Sequence, residues 1–537
     1  MRLGHPDSYR EALTAKGSMR RLLSLVFVPL VLFGSACKDS GGASCSTSGG
    51  TVLADTAWPK FRKDQANTGR TNVAIPSGDV SAQRLFPPPD LAIGGIAATA
   101  VLGEDRIYLG SNDTNIYVFD FEGQLVELEE QTDTDGAITA TPVLGRNPAD
   151  SSFILFVVSG DGRLRQFEAD GQIRKTTTIG GFLSASPNIG FDGTLYFGSQ
   201  AGSFTGVCAN GAPRFLTATA PSASPPAVTA DLEDPDDLVI VAGADNGQVR
   251  GFDRRGRMRW SLFASSATIR AAVVIDEAAQ RFFVADQTGR VFAGNLADGQ
   301  EDEQFAFRAS AAISASPALG ENVLYVADEL GVLYAIDPSN GNLRSQWSAS
   351  EDIRLNDGID EIGTSIRSSP ALSAPPGSAE RTVFGVDIDP ADVFCRLEAT
   401  CTVDDDCPTV NCCSGGICAR TGLSCSEEEP CEQVNFCEDG ICAIRRGDCV
   451  CSECARANVC VDDMCTETGS PCASDDDCSS ENLCVRSFLY AVEDGSEPMT
   501  LWRIPFDAAI ATASPAIGND GTIYVGTEAG VLYRVTD

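Results

Sequence analysis

Apolar and polar positions along this chain repeat one pattern eight times: a small residue and Pro, a short turn, an apolar strand ending near Gly, a second strand, then Asp or Gly. The clearest copies read ISASPALGENVLYVADELGVLYAIDPSNGNLRSQW from Ile313 and IATASPAIGNDGTIYVGTEAGVLYRV from Ile510. Pro142, Pro187, Pro225, Pro317, Pro370 and Pro515 open six copies, and Ala98–Ala100 and Ala271–Val273 hold the same place without proline. The copies recur about every 45 residues, a period that belongs to stacked blades of short strands. Stretches such as LYFG from Leu195 and IYVG from Ile523 are apolar at nearly every position, as strands covered on both faces must be. Gly162, Gly202, Gly247, Gly289, Gly331 and Gly530 mark the tight turns that follow. Trp260, Trp347 and Trp502 fall at matching places on a fourth, outer strand, where their predicted role is packing between blades.

The fold class this predicts is an all-β, eight-bladed β-propeller, with seven blades as the alternative if the copy at Ala271 is not one. The last copy stops after its third strand, at Asp537, and an open blade would expose a strand edge. QRLFPPPDLAIG, from Gln83, has the pattern of an outer strand leading into the first copy, so it is expected to complete the final blade and close the ring. On this reading residues 55–389 and 487–537 form the propeller, and residues 390–486 interrupt its seventh copy between VFGVDID, from Val383, and SFLYAVEDG, from Ser487.

The interruption holds 18 of the 21 cysteines and has its own period. Cys401, Cys407, Cys413 and Cys418 are echoed by Cys425, Cys431, Cys437 and Cys442, by Cys449, Cys454, Cys460 and Cys465, and by Cys472, Cys478 and Cys484, at offsets of 23 or 24 residues. With few large apolar residues such units need covalent staples, so the segment reads as a tandem array of disulfide knots, the fourth lacking its last cysteine. Cys395, Cys412 and Cys451 lie outside the pattern and bring the total to an even number; Cys395 is expected to serve the incomplete unit and Cys412 to pair with Cys451. Zinc is disfavoured because only Cys451 and Cys454 have CxxC spacing and no histidine is near. Cys45 and Cys208 have no obvious partners, and Cys208 reads most simply as a buried free thiol. Acidic triplets at Asp404–Asp406, Glu427–Glu429 and Asp475–Asp477 read as solvated charge first and calcium ligands second, whereas DLEDPDDLVIV from Asp231 lacks the Gly usual in calcium loops and is not counted among them.

A formal charge of −36 makes nucleic acid an improbable partner. His5 is the single histidine, which removes Ser-His-Asp and Cys-His catalysis and His-ligated metals from consideration. Met19, Arg20 and Arg21 precede the apolar run LLSLVFVPLVLF and then Gly34, Ser35, Ala36 and Cys37, which reads as a signal peptide over residues 1–36. Residues 1–18 fit no part of it and point to a translation start further along. The segment up to Cys37 resembles a bacterial lipoprotein signal, with Gly34 where Leu is usual; the resemblance implies lipid attachment at Cys37, the alternative being ordinary cleavage and secretion. Residues 37–54 then form a Gly/Ser-rich tether, and the expected location is the cell envelope.

WPKFRKDQANTGR, from Trp58, together with the repeats resembles the PQQ-like, or quinoprotein-like, β-propeller family. The family includes pyrroloquinoline-quinone dehydrogenases and a non-enzymatic lipoprotein subunit of the outer-membrane β-barrel assembly machine. A lipoprotein-type signal before eight repeats is similar to the second kind, and the dehydrogenases' Trp-docking signatures are absent. The expectation is therefore a protein-binding scaffold rather than an enzyme, without catalytic residues and without a required cofactor. Its expected partner is an envelope or extracellular protein, with the cysteine-rich arm as recognition element. A quinone- and calcium-dependent dehydrogenase and a glycan-binding protein are the alternatives.

Overall fold

The structure is a computed structural model. It describes residues 51–537 apart from 89–90, 127–132, 148, 169–170, 233, 235–236, 358–361 and most of 390–484, where only the backbone of short strands is described. The described residues all belong to one compact unit, Cys45–Asp537. The signal segment, Cys37 and the acidic triplets lie outside the described residues.

Eight antiparallel sheets follow one another along the chain. The inner strands of blades one to eight are Val101–Leu102, Val143–Arg146, Asn188–Ile189, Ala227–Ala230, Val274–Asp276, Ala318–Leu319, Ala371–Ser373 and Ala516–Ile517. The proline-free copy at Ala271 is a full blade, which fixes the number at eight. In blade three the order runs outward from Asn188–Ile189 through Thr194–Ser199 and Ser203–Cys208 to Pro213–Ala218. Its two middle strands are buried at every position because neighbouring blades cover both faces, which is why their sequence does not alternate. Outer strands such as Ile173–Thr178 in blade two face water and are polar.

Ser81–Phe86 pairs antiparallel with Leu532–Thr536, Gln83 opposite Arg534, and so supplies the fourth strand of blade eight. Phe86 is fully buried there, its ring stacked 4.5 Å from Phe119 of blade one. The ring is thus closed by its own N-terminal strand.

Two devices recur between blades. At four of the eight junctions the isoleucine that precedes the small-residue/Pro element lies over a glycine of the preceding blade's second strand. A Cβ on Gly110, Gly243, Gly385 or Gly526 would come within 2.4–2.5 Å of Ile138, Ile269, Ile510 or Ile96. The outer-strand tryptophans do the rest. Trp260 stacks on Phe282 and donates its indole N–H to Leu296 O at 2.9 Å, and Trp502 donates to Pro76 O at 2.8 Å.

In blade seven, Arg381–Ile388 pairs with Ser487–Glu493 in unbroken register from Arg381↔Glu493 to Asp387↔Ser487. The interruption leaves from the tip of that hairpin, where Ile388 N–H still donates to Arg486 O at 2.9 Å. Within it, backbone hairpins set Cys413 opposite Cys418, Cys437 opposite Cys442 and Cys460 opposite Cys465. The strand Phe394–Thr400 sets Cys395 opposite Cys484, the same relation for the unit that lacks a fourth cysteine. The one helix among the described residues, Ala349–Asp357, links blades six and seven. No helix among them is long and apolar enough to cross a membrane.

One expectation is corrected. Cys208 is not a free thiol: it is disulfide-bonded. It is buried, as expected, but at the very end of its strand, beside the turn Ala209–Gly211, where a second chain segment can reach it.

Candidate functional site

The recurring small-residue/Pro element lines the axis of the ring. At five of the eight junctions its Ser or Thr hydroxyl accepts the N–H of the same position one blade earlier. Thr99 N donates to Thr141 Oγ1 (3.0 Å), Thr141 N to Ser186 Oγ (2.9 Å), Ala272 N to Ser316 Oγ (2.9 Å), Ser316 N to Ser369 Oγ (2.9 Å) and Ser369 N to Ser514 Oγ (3.0 Å). The proline that follows has no N–H to leave unpaired at the axis. In blade five Ala272 replaces the hydroxyl, and Ser224 of blade four turns to Ala271 O instead, at 2.8 Å. The repeat is therefore a hydrogen-bonded belt around the channel.

Beside this belt the axis is filled by the chain itself. Residues 54–76 wind round the inner strands and offer their carbonyls to successive blades. Trp58 O accepts from Leu102 N, Pro59 O from Leu144 N, Gln65 O from Val228 N, Ala66 O from Ile275 N, Thr68 O from Leu319 N and Gly69 O from Leu372 N, at 2.8–3.0 Å. Blade three takes part through Asn188 Nδ2, which donates to Gln65 O at 2.8 Å. Arg62 donates to Pro317 O at 2.6 Å and to Pro370 O, and Asn67 donates to Pro226 O and Val273 O at 3.0 and 2.9 Å. Arg62, Lys63 and Asn67 take positive φ, between 59° and 67°, to make the bends. Sequence reading used this segment only as a mark of resemblance. Its signal as a plug was there: a Trp, four cations and turn residues packed into thirteen positions ahead of the first repeat.

Lys60 is buried without a carboxylate partner. Its ammonium donates to Phe61 O, Asp64 O and Asn67 Oδ1 at 2.6–2.7 Å, and burial pulls its pKa down from 10.5 to about 7. Because the folded-state pKa is the lower one, the unfolded chain binds the extra proton between pH about 7 and 10, and stability rises with pH across that window. The expected slope from Lys60 approaches ~1.4 kcal/mol per pH unit at most. Urea midpoints measured from pH 7 to 9.5 should rise in the wild type, and the rise should shrink in Lys60→Met. Identical pH profiles for the two proteins would contradict the assignment.

The two mouths of the channel differ. The near face carries the turns joining first to second and third to fourth strands. The plug lies at this mouth, with Ala74 O against Gly521 and Thr51 O against Gly193. The far face carries the turns joining second to third strands, and there the cysteine-rich arm is rooted. A cleft of about 430 Å³ between blades four and five, lined by Phe263, Ser265, Asp286, Thr288, Arg290 and Arg308, has its charges engaged locally. Asp286 accepts from Ser265 and Thr288, and Arg290 bonds Glu301 while lying 4.0 Å over Phe292. Asp231 and Asp237, from the acidic loop of blade four, are both bridged by Arg259, at 2.6 and 3.1 Å. Among the described residues no group of three or more His, Cys, Asp or Glu side chains could hold a metal ion.

Comparison with known proteins agrees with this architecture. Residues 160–353 match the family model described as outer membrane protein assembly factor BamB. Among solved structures the chain is similar to BamB from Moraxella catarrhalis, at 12% identity and a TM-score of 0.50, covering 87% of this chain and 100% of that one. A computationally designed protein, Ika8, matches at 11% identity and a TM-score of 0.47, covering 85% and 100%. A europium-containing methanol dehydrogenase matches at 10% identity and a TM-score of 0.46, covering 63% and 89%. At this identity the likeness to the Moraxella catarrhalis protein carries the fold alone. No curated protein matches the chain. The chain is thus an eight-bladed β-propeller built on one repeated element, of which residues 160–353 match a PQQ-like repeat family model.

Proposed function

We propose that this protein is a non-enzymatic binding scaffold of the cell envelope, lipid-anchored through Cys37, with residues 390–486 as the arm that recognises a protein partner. The observation that carries the reading is the division of labour between the two mouths of the ring. The near mouth is filled by the chain's own residues 54–76, whose backbone carbonyls, together with the Arg62 and Asn67 side chains, are bonded to the blades. The arm leaves the far face from a hairpin that stays fully paired up to its root. A rigid base under a disulfide-stapled arm loses little conformational entropy on binding, which favours recognition there. The family match to an outer-membrane assembly factor supports a protein-binding role in the envelope. Among the described residues of the axis and the blade four/five cleft, no group of three or more His, Cys, Asp or Glu side chains could hold the calcium that a quinone-dependent oxidation would use.

The test keeps the propeller and removes the arm. A variant in which a four-residue turn, copied from Ser159–Gly162 of blade two, joins Asp389 to Arg486 retains the hairpin Arg381–Ile388/Ser487–Glu493. Pull-down from envelope extracts with intact protein and with this variant should recover the partner at least tenfold better with the intact protein. Equal recovery would reject the arm as the recognition element. A cofactor-bound absorbance band on adding pyrroloquinoline quinone and calcium would reject the non-enzymatic reading.

A further inference from the structure

Cys208 is bonded to another sulfur, and it is the only cysteine whose side chain lies among the described residues, so its partner is one of the other twenty. The fold separates the candidates. Cys208 stands opposite Thr194 at the near-face end of blade three. The arm, with 18 of the cysteines, is rooted at the far-face end of blade seven, four blades round the ring. An arm cysteine would have to cross both the thickness and the width of the propeller.

The N-terminal segment, in contrast, arrives at the right place. Gly193, in the turn just before Thr194, would place a Cβ 2.6 Å from Thr51 O, and its own carbonyl accepts the N–H of Ala209, the residue after Cys208. Val52–Leu53 is held nearby on the inner strand of blade two, in register with Arg146 and Gly145. Cys45 precedes Thr51 by six residues, a span of up to about 20 Å, whereas a disulfide needs its Cα atoms only about 4.4–6.8 Å apart. The compact unit that contains the propeller begins at Cys45, and Cys37 falls outside it.

We propose that Cys45 and Cys208 form a disulfide that pins the N-terminal segment to blade three at the near face. The two thiols lose two protons and two electrons by thiol–disulfide exchange with an oxidised dithiol carrier, which leaves reduced; such oxidants operate outside the cytoplasm. Resting further on the lipid-anchor reading, the bond would cut the free tether from the fourteen steps between Cys37 and Thr51 to the eight between Cys37 and Cys45. Its maximum reach falls from about 50 Å to about 29 Å.

Proteolysis of the full oxidised protein without reductant, followed by mass spectrometry, is expected to yield the Cys45 and Cys208 peptides joined, separating on reduction. In Cys45→Ser, one additional thiol should become titratable on the Cys208 peptide after denaturation. Cys208 joined to Cys37 or to any arm cysteine, or a free thiol at both positions in the wild type, would overturn the proposal. None of these outcomes depends on the partner-binding reading, because they are read on the purified protein alone.

Discussion

A chain that begins at Pro87, lacking both the axial plug and the closing strand, will not melt as one cooperative unit. Eight blades depend on this segment in two ways. Ser81–Phe86 supplies the outer strand of blade eight, and without it Leu532–Thr536 becomes an open edge. Residues 58–69 tie six inner strands together through backbone bonds, each worth about 0.5–1.5 kcal/mol net. Trp58 and Phe86, both buried, add about 1.5–3 kcal/mol each by area. The sum is comparable with the roughly 5–15 kcal/mol that separates a folded domain from its unfolded state. Thermal unfolding followed by circular dichroism, with limited proteolysis alongside, checks this. The full chain should give a single sharp transition, and the shortened one a broad, low-temperature loss of signal with cleavage throughout. A melting temperature within a few degrees of the full chain would show that the ring holds without its closure. In the full-length chain, the milder Phe86→Ala should cost about 3–5 kcal/mol.

Trp347→Ala should be the most damaging single change between blades, at about 3–5 kcal/mol. The indole reaches from blade six into blade seven, edge-on to Tyr490 at 4.7 Å and to Phe384 at 5.4 Å. Its N–H donates to Thr500 Oγ1 at 2.9 Å, and that hydroxyl donates in turn to Asp352 Oδ1 at 2.6 Å. Asp352 and Asp357, on the linking helix, flank the half-buried Arg503 guanidinium at 3.6 and 2.5 Å. Loss of the indole therefore opens a cavity and loosens the helix that bridges the two blades. Trp347→Phe keeps much of the ring contact but not the N–H, and should lose markedly less. Denaturant unfolding of the three proteins ranks them, and an alanine variant within 1 kcal/mol of wild type would remove Trp347 from this role.

The parts of the fold legible in the sequence were those written more than once. A strand buried on both faces must be apolar throughout, so the second strands announced themselves, as did Trp260, Trp347 and Trp502 by falling in phase. The closing strand was readable because a blade with three strands demands a fourth. What repetition could not reveal was anything that happens once. The plug from Trp58 to Arg70 has no internal period, and its partners are backbone carbonyls and amides, which no side-chain pattern encodes. Nor could the serine or threonine before these prolines be assigned: a buried hydroxyl bonded across blades and a solvated turn residue are the same letter. Cys208 was misjudged for a related reason, since burial and bonding are indistinguishable until a second chain segment is seen passing its strand.

The second strands of the blades also set a length. Six residues such as Thr194–Ser199 span about 20 Å at 3.3 Å per residue, and this strand runs from the near face to the far face. On the lipid-anchored scaffold reading, the ring would be a standoff as much as a platform. If the near face is drawn toward a bilayer by its N-terminus, anything held at the root of blade seven is kept at least that distance from the lipid. A change in strand length, more than any surface substitution, would alter that spacing.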